Sequence, residues 1–269
     1  MRSKHRRLEE WQVPPGERCR MRVVDVLVFL LILVVAFLAC LQAQAEPAPV
    51  GAPAAQEALD EDALVLAAAA GLVRAVEAER WSWYSCGGIV PIEQYPVRSA
   101  QLVRALRTAL REVGLEHPNY LWGALGIMWQ ESRGNPCPLG PYSRRWAVAK
   151  KVVKQKHLSH WTEADALAAL HAAGKAHRGV DAGLGQNIWP VNAMVLDGGV
   201  ARPATAEEMV SVEGSARALA FHLAEQAKVD PRRPWAYWPG MPSADYAKKV
   251  EGWVRVMGGP RIGAGARWR

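Results

Sequence analysis

Cysteine, phenylalanine and long apolar runs are all scarce in this sequence. Of the four cysteines only Cys86 and Cys137 lie beyond residue 40. No Cys/His knuckle and no H-E-x-x-H stretch appears, so His157, His160, His171 and His177 read as surface or capping residues, and neither a metal nor a cofactor is expected. The apolar run "VLVFLLILVVAFLACL", Val26 to Leu41, has 16 residues, fewer than the ~20 that cross a bilayer comfortably. Basic clusters are missing from the body of the chain. Of the formal charge of +7, residues 1–22 hold +4, from seven Lys/Arg (Arg2, Lys4, Arg6, Arg7, Arg18, Arg20, Arg22) against Glu9, Glu10 and Glu17. The remaining +3 is spread among acidic neighbours and matches no nucleic-acid motif, so no nucleic-acid partner is expected. Strict two-residue alternation is also lacking, while Ala-rich runs are plentiful, which predicts a mainly helical protein.

What is present is a chain of 269 residues, 50% hydrophobic, enough for one large packed domain or two small ones. Its basic excess stands directly before the Val26–Leu41 run, the order of a membrane-targeting segment, so the tail is expected in the cytoplasm and the rest in the periplasm or cell envelope. Three fates remain open for that segment. "AQA" (Ala43 to Ala45) fits a small-residue cleavage site, a retained inner-membrane anchor is the second fate, and acylation at Cys40 the third, poorly served by Phe37 and Leu38. Met21 offers an alternative start with a shorter basic region. In an exported protein Cys86 and Cys137 read as one disulfide, tying the chain entering the domain to the loop after Glu131, or else as two unpaired small core residues.

The chain divides into a signal or anchor at 1–45, an Ala/Pro-rich linker and helix at 46–83, a compact domain at 84–258 and a Gly/Arg-rich tail at 259–269. "PAPVGAPAAQ" is a spacer, and an Ala-rich acidic helix is expected over about Leu59 to Arg80. Leu102, Leu106, Leu110 and Val113 mark a helix ended by Gly114. Leu121, Leu125 and Met128 mark another that begins after Pro118 and Asn119. "TEAD" (Thr162 to Asp165) is a capping box opening a helix that stops at Gly174. Further helices carry Ala216, Leu219, Ala220 and Leu223, and then Tyr246, Val250, Trp253 and Met257. Residues 137–160 leave room for a small hairpin, and no internal repeat is evident.

In "IMWQESRGNP" a single carboxylate, Glu131, stands where the apolar helix runs out, three and four residues beyond Met128 and Ile127. There it borders the apolar face and meets the negative end of the helix dipole. Both effects raise a carboxyl pKa and suit a proton donor. The plain alternative is an exposed glutamate paired with Arg133. A second stretch, "DAGLGQNIWPVNA", sets Gly183 and Gly185 around Leu184, so that the backbone can come close to a neighbour or a ligand, and Gln186 offers a donor and an acceptor. Twelve Trp against three Phe is a skewed aromatic usage. Trp presents a broad apolar face to sugar C–H groups, which makes Trp189, Trp235, Tyr237 and Trp238 candidates for a cleft, with core packing as the alternative.

Together "ESRGNP", "DAGLGQ" and "AYWPG" (Ala236 to Gly240) resemble the motifs of lysozyme-like lytic transglycosylases of the SLT type, over roughly Leu121 to Val254. The stretch "TEADALAALHAAGKAHRGVDAGLGQ" is most similar to the branch that accompanies type IV secretion and conjugation systems. The resemblance implies a lysozyme-like α domain acting on peptidoglycan, with Glu131 as catalytic acid and Ser132 contacting substrate or acid. It implies sugar contacts from Gln186 and Tyr237, beside which Gly183, Trp189 and Trp238 stand as further substrate-binding candidates, and components of a secretion apparatus as partners. Trp238 departs from the family's usual Asn. In that chemistry one acid suffices. Glu131 protonates the glycosidic oxygen between N-acetylmuramic acid and N-acetylglucosamine, then takes the proton of the muramic acid 6-hydroxyl, and a 1,6-anhydro end forms without the second carboxylate of a hydrolase. Two other outcomes stay open: hydrolysis with Asp181 activating water, and a non-catalytic glycan-binding scaffold.

Overall fold

The computed structural model describes residues 53–79, 82–137, 161–175, 179–189 and 191–263. The basic region, the Val26–Leu41 run, Ala43–Ala45, His157, His160, His177, nearly all of the stretch with room for a hairpin and residues 264–269 lie outside the described residues.

The first helix, α1 (Pro53–Glu79), is built on alanine. Val65, Ala68, Ala69, Leu72, Ala75 and Val76 recur at helical spacing, and all are buried in the main core. At Gly71 an added Cβ would lie 2.6 Å from the Met257 carbonyl oxygen, so glycine lets α1 touch the end of the last helix. The compact unit accordingly starts at Glu57. The sequence leaves open whether this helix packs on the domain that follows; here it does, because small and branched residues on one face of α1 give it a surface to bury.

Helix α2 (Tyr95–Glu112) buries Leu102, Val103, Leu106 and Leu110 and ends before Gly114, whose φ of +76° turns the chain. Helix α3 (Pro118–Ser132) is buried on almost every side, from Leu121 to Trp129. His117 caps it, its Nδ1 accepting from the Asn119 backbone N–H at 3.1 Å, and Pro118 occupies a first-turn position where no N–H is needed. Thr162 and Asp165 exchange hydrogen bonds at the head of α4 (Glu163–Lys175), as the capping-box reading expects. Helices α5 (Ala206–Val210), α6 (Val212–Ala227) and α7 (Ala244–Val256) follow. The fold is mainly helical, and none of the described helices is long and apolar enough to cross a membrane.

Three two-stranded antiparallel pairs complete the described residues. They are β1 (Tyr84–Ser85) with β2 (Gly88–Ile89), β3 (Val180–Ala182) with β4 (Asn187–Trp189), and β5 (Met194–Asp197) with β6 (Val200–Pro203). The second pair carries the glycine-rich stretch as its turn, with Ala182 opposite Asn187. The third turns at Gly198 and Gly199, both at positive φ. One core gathers α1, α2, α3, α6 and α7. A second gathers α4, β3, β4, β5 and α5 around Trp161 and Trp189. Cys86 and Cys137 form a disulfide, with Cα atoms 5.4 Å apart, which ties the β1–β2 turn to the segment that leaves α3.

Candidate active site

Glu131 is the penultimate residue of α3. The chain then reverses through two left-handed residues, Arg133 at φ 55° and Gly134 at φ 72°. The Arg133 guanidinium folds back on the helix end, donating to the carbonyls of Trp129 and Gln130. Its Nε pairs with Glu79 at 2.8 Å, and it lies over the rings of Trp129 and Trp253. Arg133 therefore answers the negative end of α3 and takes Glu79, not Glu131, as its carboxylate partner.

The partner of Glu131 is Tyr246, whose hydroxyl donates to Oε1 at 2.6 Å. Tyr246 stands in the first turn of α7, and its backbone N–H is received by the Ser243 hydroxyl at 3.2 Å. Burial pushes the Glu131 carboxyl above its usual range, and the negative charge of Asp181 adds to this. The Tyr246 hydrogen bond and the charges of Arg133 and Lys249 oppose it without cancelling it. Burial and the adjacent Glu131 together push the Tyr246 hydroxyl far up, so that it stays a donor. The site holds a carboxyl biased toward its protonated form, with a fixed donor ready to stabilise the anion once the proton leaves.

Sequence reading missed Tyr246 by assigning it to an apolar stripe. A signal was available: a tyrosine three residues after a serine cap, on a face otherwise made of Val and Trp, has a hydroxyl that needs a partner when buried.

The β3–β4 turn is fastened beside this acid. The Ser132 hydroxyl lies 2.8 Å from the Leu184 carbonyl and 3.1 Å from that of Met128, linking the turn to the end of α3. Trp238 Nε1 donates to the Gly185 carbonyl at 3.1 Å. Gln186, at φ 50°, closes the turn with its backbone N–H and its side-chain Nε2, both donating to the Gly183 carbonyl. The glycines serve close approach to protein. A Cβ at Gly183 would meet Met209 Cε at 2.8 Å, and one at Gly185 would meet Trp238 Cζ2 at 2.7 Å.

Glu131, Ser132, Asp181, Gly183, Gln186 and Trp238 are thus brought into one neighbourhood with Tyr246. Trp189 and Trp235 are buried, as the core-packing alternative expects. The Trp189 N–H donates to the Ala204 carbonyl in the second core, and the Trp235 N–H donates to Glu251. Trp238 is also buried, 9% exposed, and acts as a clamp on the turn. Tyr237 is half-buried against the main core. Among the described residues no three His, Cys, Asp or Glu side chains gather as metal ligands do. Comparison of the chain with family models, with curated proteins and with solved structures returns no match.

Proposed function

We propose that the protein is an exported peptidoglycan lytic transglycosylase with a lysozyme-like α domain, and that Glu131 is its catalytic acid. The observation that carries this is the Tyr246–Glu131 hydrogen bond at 2.6 Å on a carboxyl held up by burial. A single acid that must first give a proton and then take one needs both halves of that arrangement. Burial and the charge of Asp181 shift it toward the protonated form that gives a proton to the glycosidic oxygen between N-acetylmuramic acid and N-acetylglucosamine. Tyr246 steadies the carboxylate that then accepts the muramic acid 6-hydroxyl proton as the 1,6-anhydro ring closes. Ser132 and Trp238 act through the backbone, positioning the Gly183–Gln186 turn against which the glycan lies.

The basic-then-apolar N-terminal order supports export, and the Cys86–Cys137 bridge suits an oxidising envelope compartment. Glycan strands are the partner. The resemblance of Thr162–Gln186 to one branch of these enzymes favours local wall opening for a type IV secretion or conjugation apparatus. Hydrolysis is the second reading, because Asp181 is near enough for its charge to act on Glu131. A non-catalytic scaffold gives no reason for so tuned a carboxyl.

Glu131→Gln keeps shape and acceptor but has no proton to give. Cell-wall clearing in a zymogram of the refolded variant is expected to fall ~100 to 10,000-fold, and clearing at the wild-type rate would remove Glu131 from the mechanism.

A further inference from the structure

A cavity of about 460 Å³ opens between the β1–β2 hairpin and the start of α2. It shares no residue with the neighbourhood of Glu131, and among the described residues Arg98 is the one charged side chain that lines it. The Arg98 guanidinium has a neutral partner, Gln101 Oε1 at 2.9 Å, while its Nε is buried with no acceptor. Glu213 acts on it through space without forming an ion pair, and burial works against its charge. A half-buried cation lacking a counterion is under-satisfied, and an anion entering from solvent would complete it. The cavity also lies at the N-terminal end of α2, where Gln94 makes no side-chain cap and the helix dipole favours negative charge. The rim is apolar: Ile89 is 60% exposed and Val97 73%. A ligand that joins a carboxylate to a small apolar group would match both the arginine and this rim.

We propose that this cavity is a secondary site for the D-alanine carboxylate end of wall stem peptides, with Arg98 receiving the carboxylate and Ile89 and Val97 the adjoining methyl groups. The inference rests on the peptidoglycan reading above and extends it. The protein would hold a neighbouring strand by its peptide while Glu131 acts on the glycan.

The test uses the exported protein and a blocked Lys-D-Ala-D-Ala peptide, with binding followed by calorimetry. The free-acid peptide is expected to bind, and its C-terminal amide to bind at least 10-fold more weakly. Arg98→Gln is expected to lose binding by a similar factor while cleavage of peptide-free glycan is unchanged. Val97→Asp, at an exposed position, should weaken the same peptide through repulsion, which keeps the test decisive if Arg98→Gln does not fold. Equal binding of acid and amide, equal binding of an L-Ala-ended peptide, or no binding of the free acid overturns the proposal. Glycan cleavage without peptide binding would sink this inference alone, and peptide binding without cleavage by the wild type would sink the enzymatic reading alone.

Discussion

Glu131 ionises in surroundings that favour its neutral form, so its raised pKa bears on stability as well as chemistry. Between its unfolded and folded pKa values the folded protein binds more protons. Its contribution is therefore most favourable below the unfolded value and is lost as pH rises through the folded one. Glu131→Gln retains an acceptor for Tyr246 and removes that loss. The variant is expected to melt with the wild type at acid pH and above it at neutral pH, by scanning calorimetry across pH. A variant less stable than wild type at neutral pH would contradict the burial argument. Tyr246→Phe does the reverse to the carboxylate, since it deletes the hydrogen bond that holds the pKa down. The alkaline limb of the pH–activity profile should move upward, and stability at neutral pH should fall by about 1.5 to 3 kcal/mol, the scale of a hydrogen bond to a charged group. A profile that loses height without moving would mean that Tyr246 only fills space.

The contact that joins acid and tyrosine belongs to two helices, α3 and α7, and it depends on a residue that neither motif contains. At Gly126 an added Cβ would lie 2.8 Å from Val250 Cγ1 and 2.9 Å from the Val250 carbonyl oxygen, so α7 rests directly on the α3 backbone. Gly126→Ala is expected to cost ~1 to 3 kcal/mol by overpacking. It should also shift the pH profile in the same direction as Tyr246→Phe, because the helices must part. Chemical denaturation and a pH profile on one preparation check both effects. The β3–β4 turn gives the companion case. Gly185→Val would drive side-chain atoms into Trp238 and Asn187, so its melting temperature should drop clearly. This is also where sequence reading was weakest. The stripes of α2, α3, α6 and α7 were legible because helical periodicity is local, and so were the Thr162 box and the placement of Glu131 at a helix end. Tyr246 and Glu131 meet across 115 residues, a pairing that no local pattern encodes. Trp189 and Trp238 were ambiguous because a tryptophan in a core and one in a cleft look alike in a sequence. The β5–β6 hairpin was missed although Asp197, Gly198 and Gly199 are turn residues.

Across the described residues one covalent link constrains the segment leaving the acid. The bridge spans 51 residues of sequence, a loop whose closure stabilises a fold by about 4 kcal/mol in the chain-entropy account. Thiol titration of the denatured, unreduced exported protein should find neither Cys86 nor Cys137 free, and replacing both with serine should lower the unfolding free energy by roughly that amount. Two reactive thiols would refute the bridge. The cysteine pairing was readable from the sequence because only two cysteines lie beyond the N-terminal apolar run. The reach of the compact unit back to Glu57 was not, because the alanine-rich face of α1 reads equally well as a free helix. The central claim is that one buried acid opens the glycan without an activated water. Mass spectrometry of the muropeptides released from purified cell wall by the exported protein tests it most directly. Products ending in 1,6-anhydro-N-acetylmuramic acid are predicted, whereas products with reducing ends, or no release at all, would contradict it.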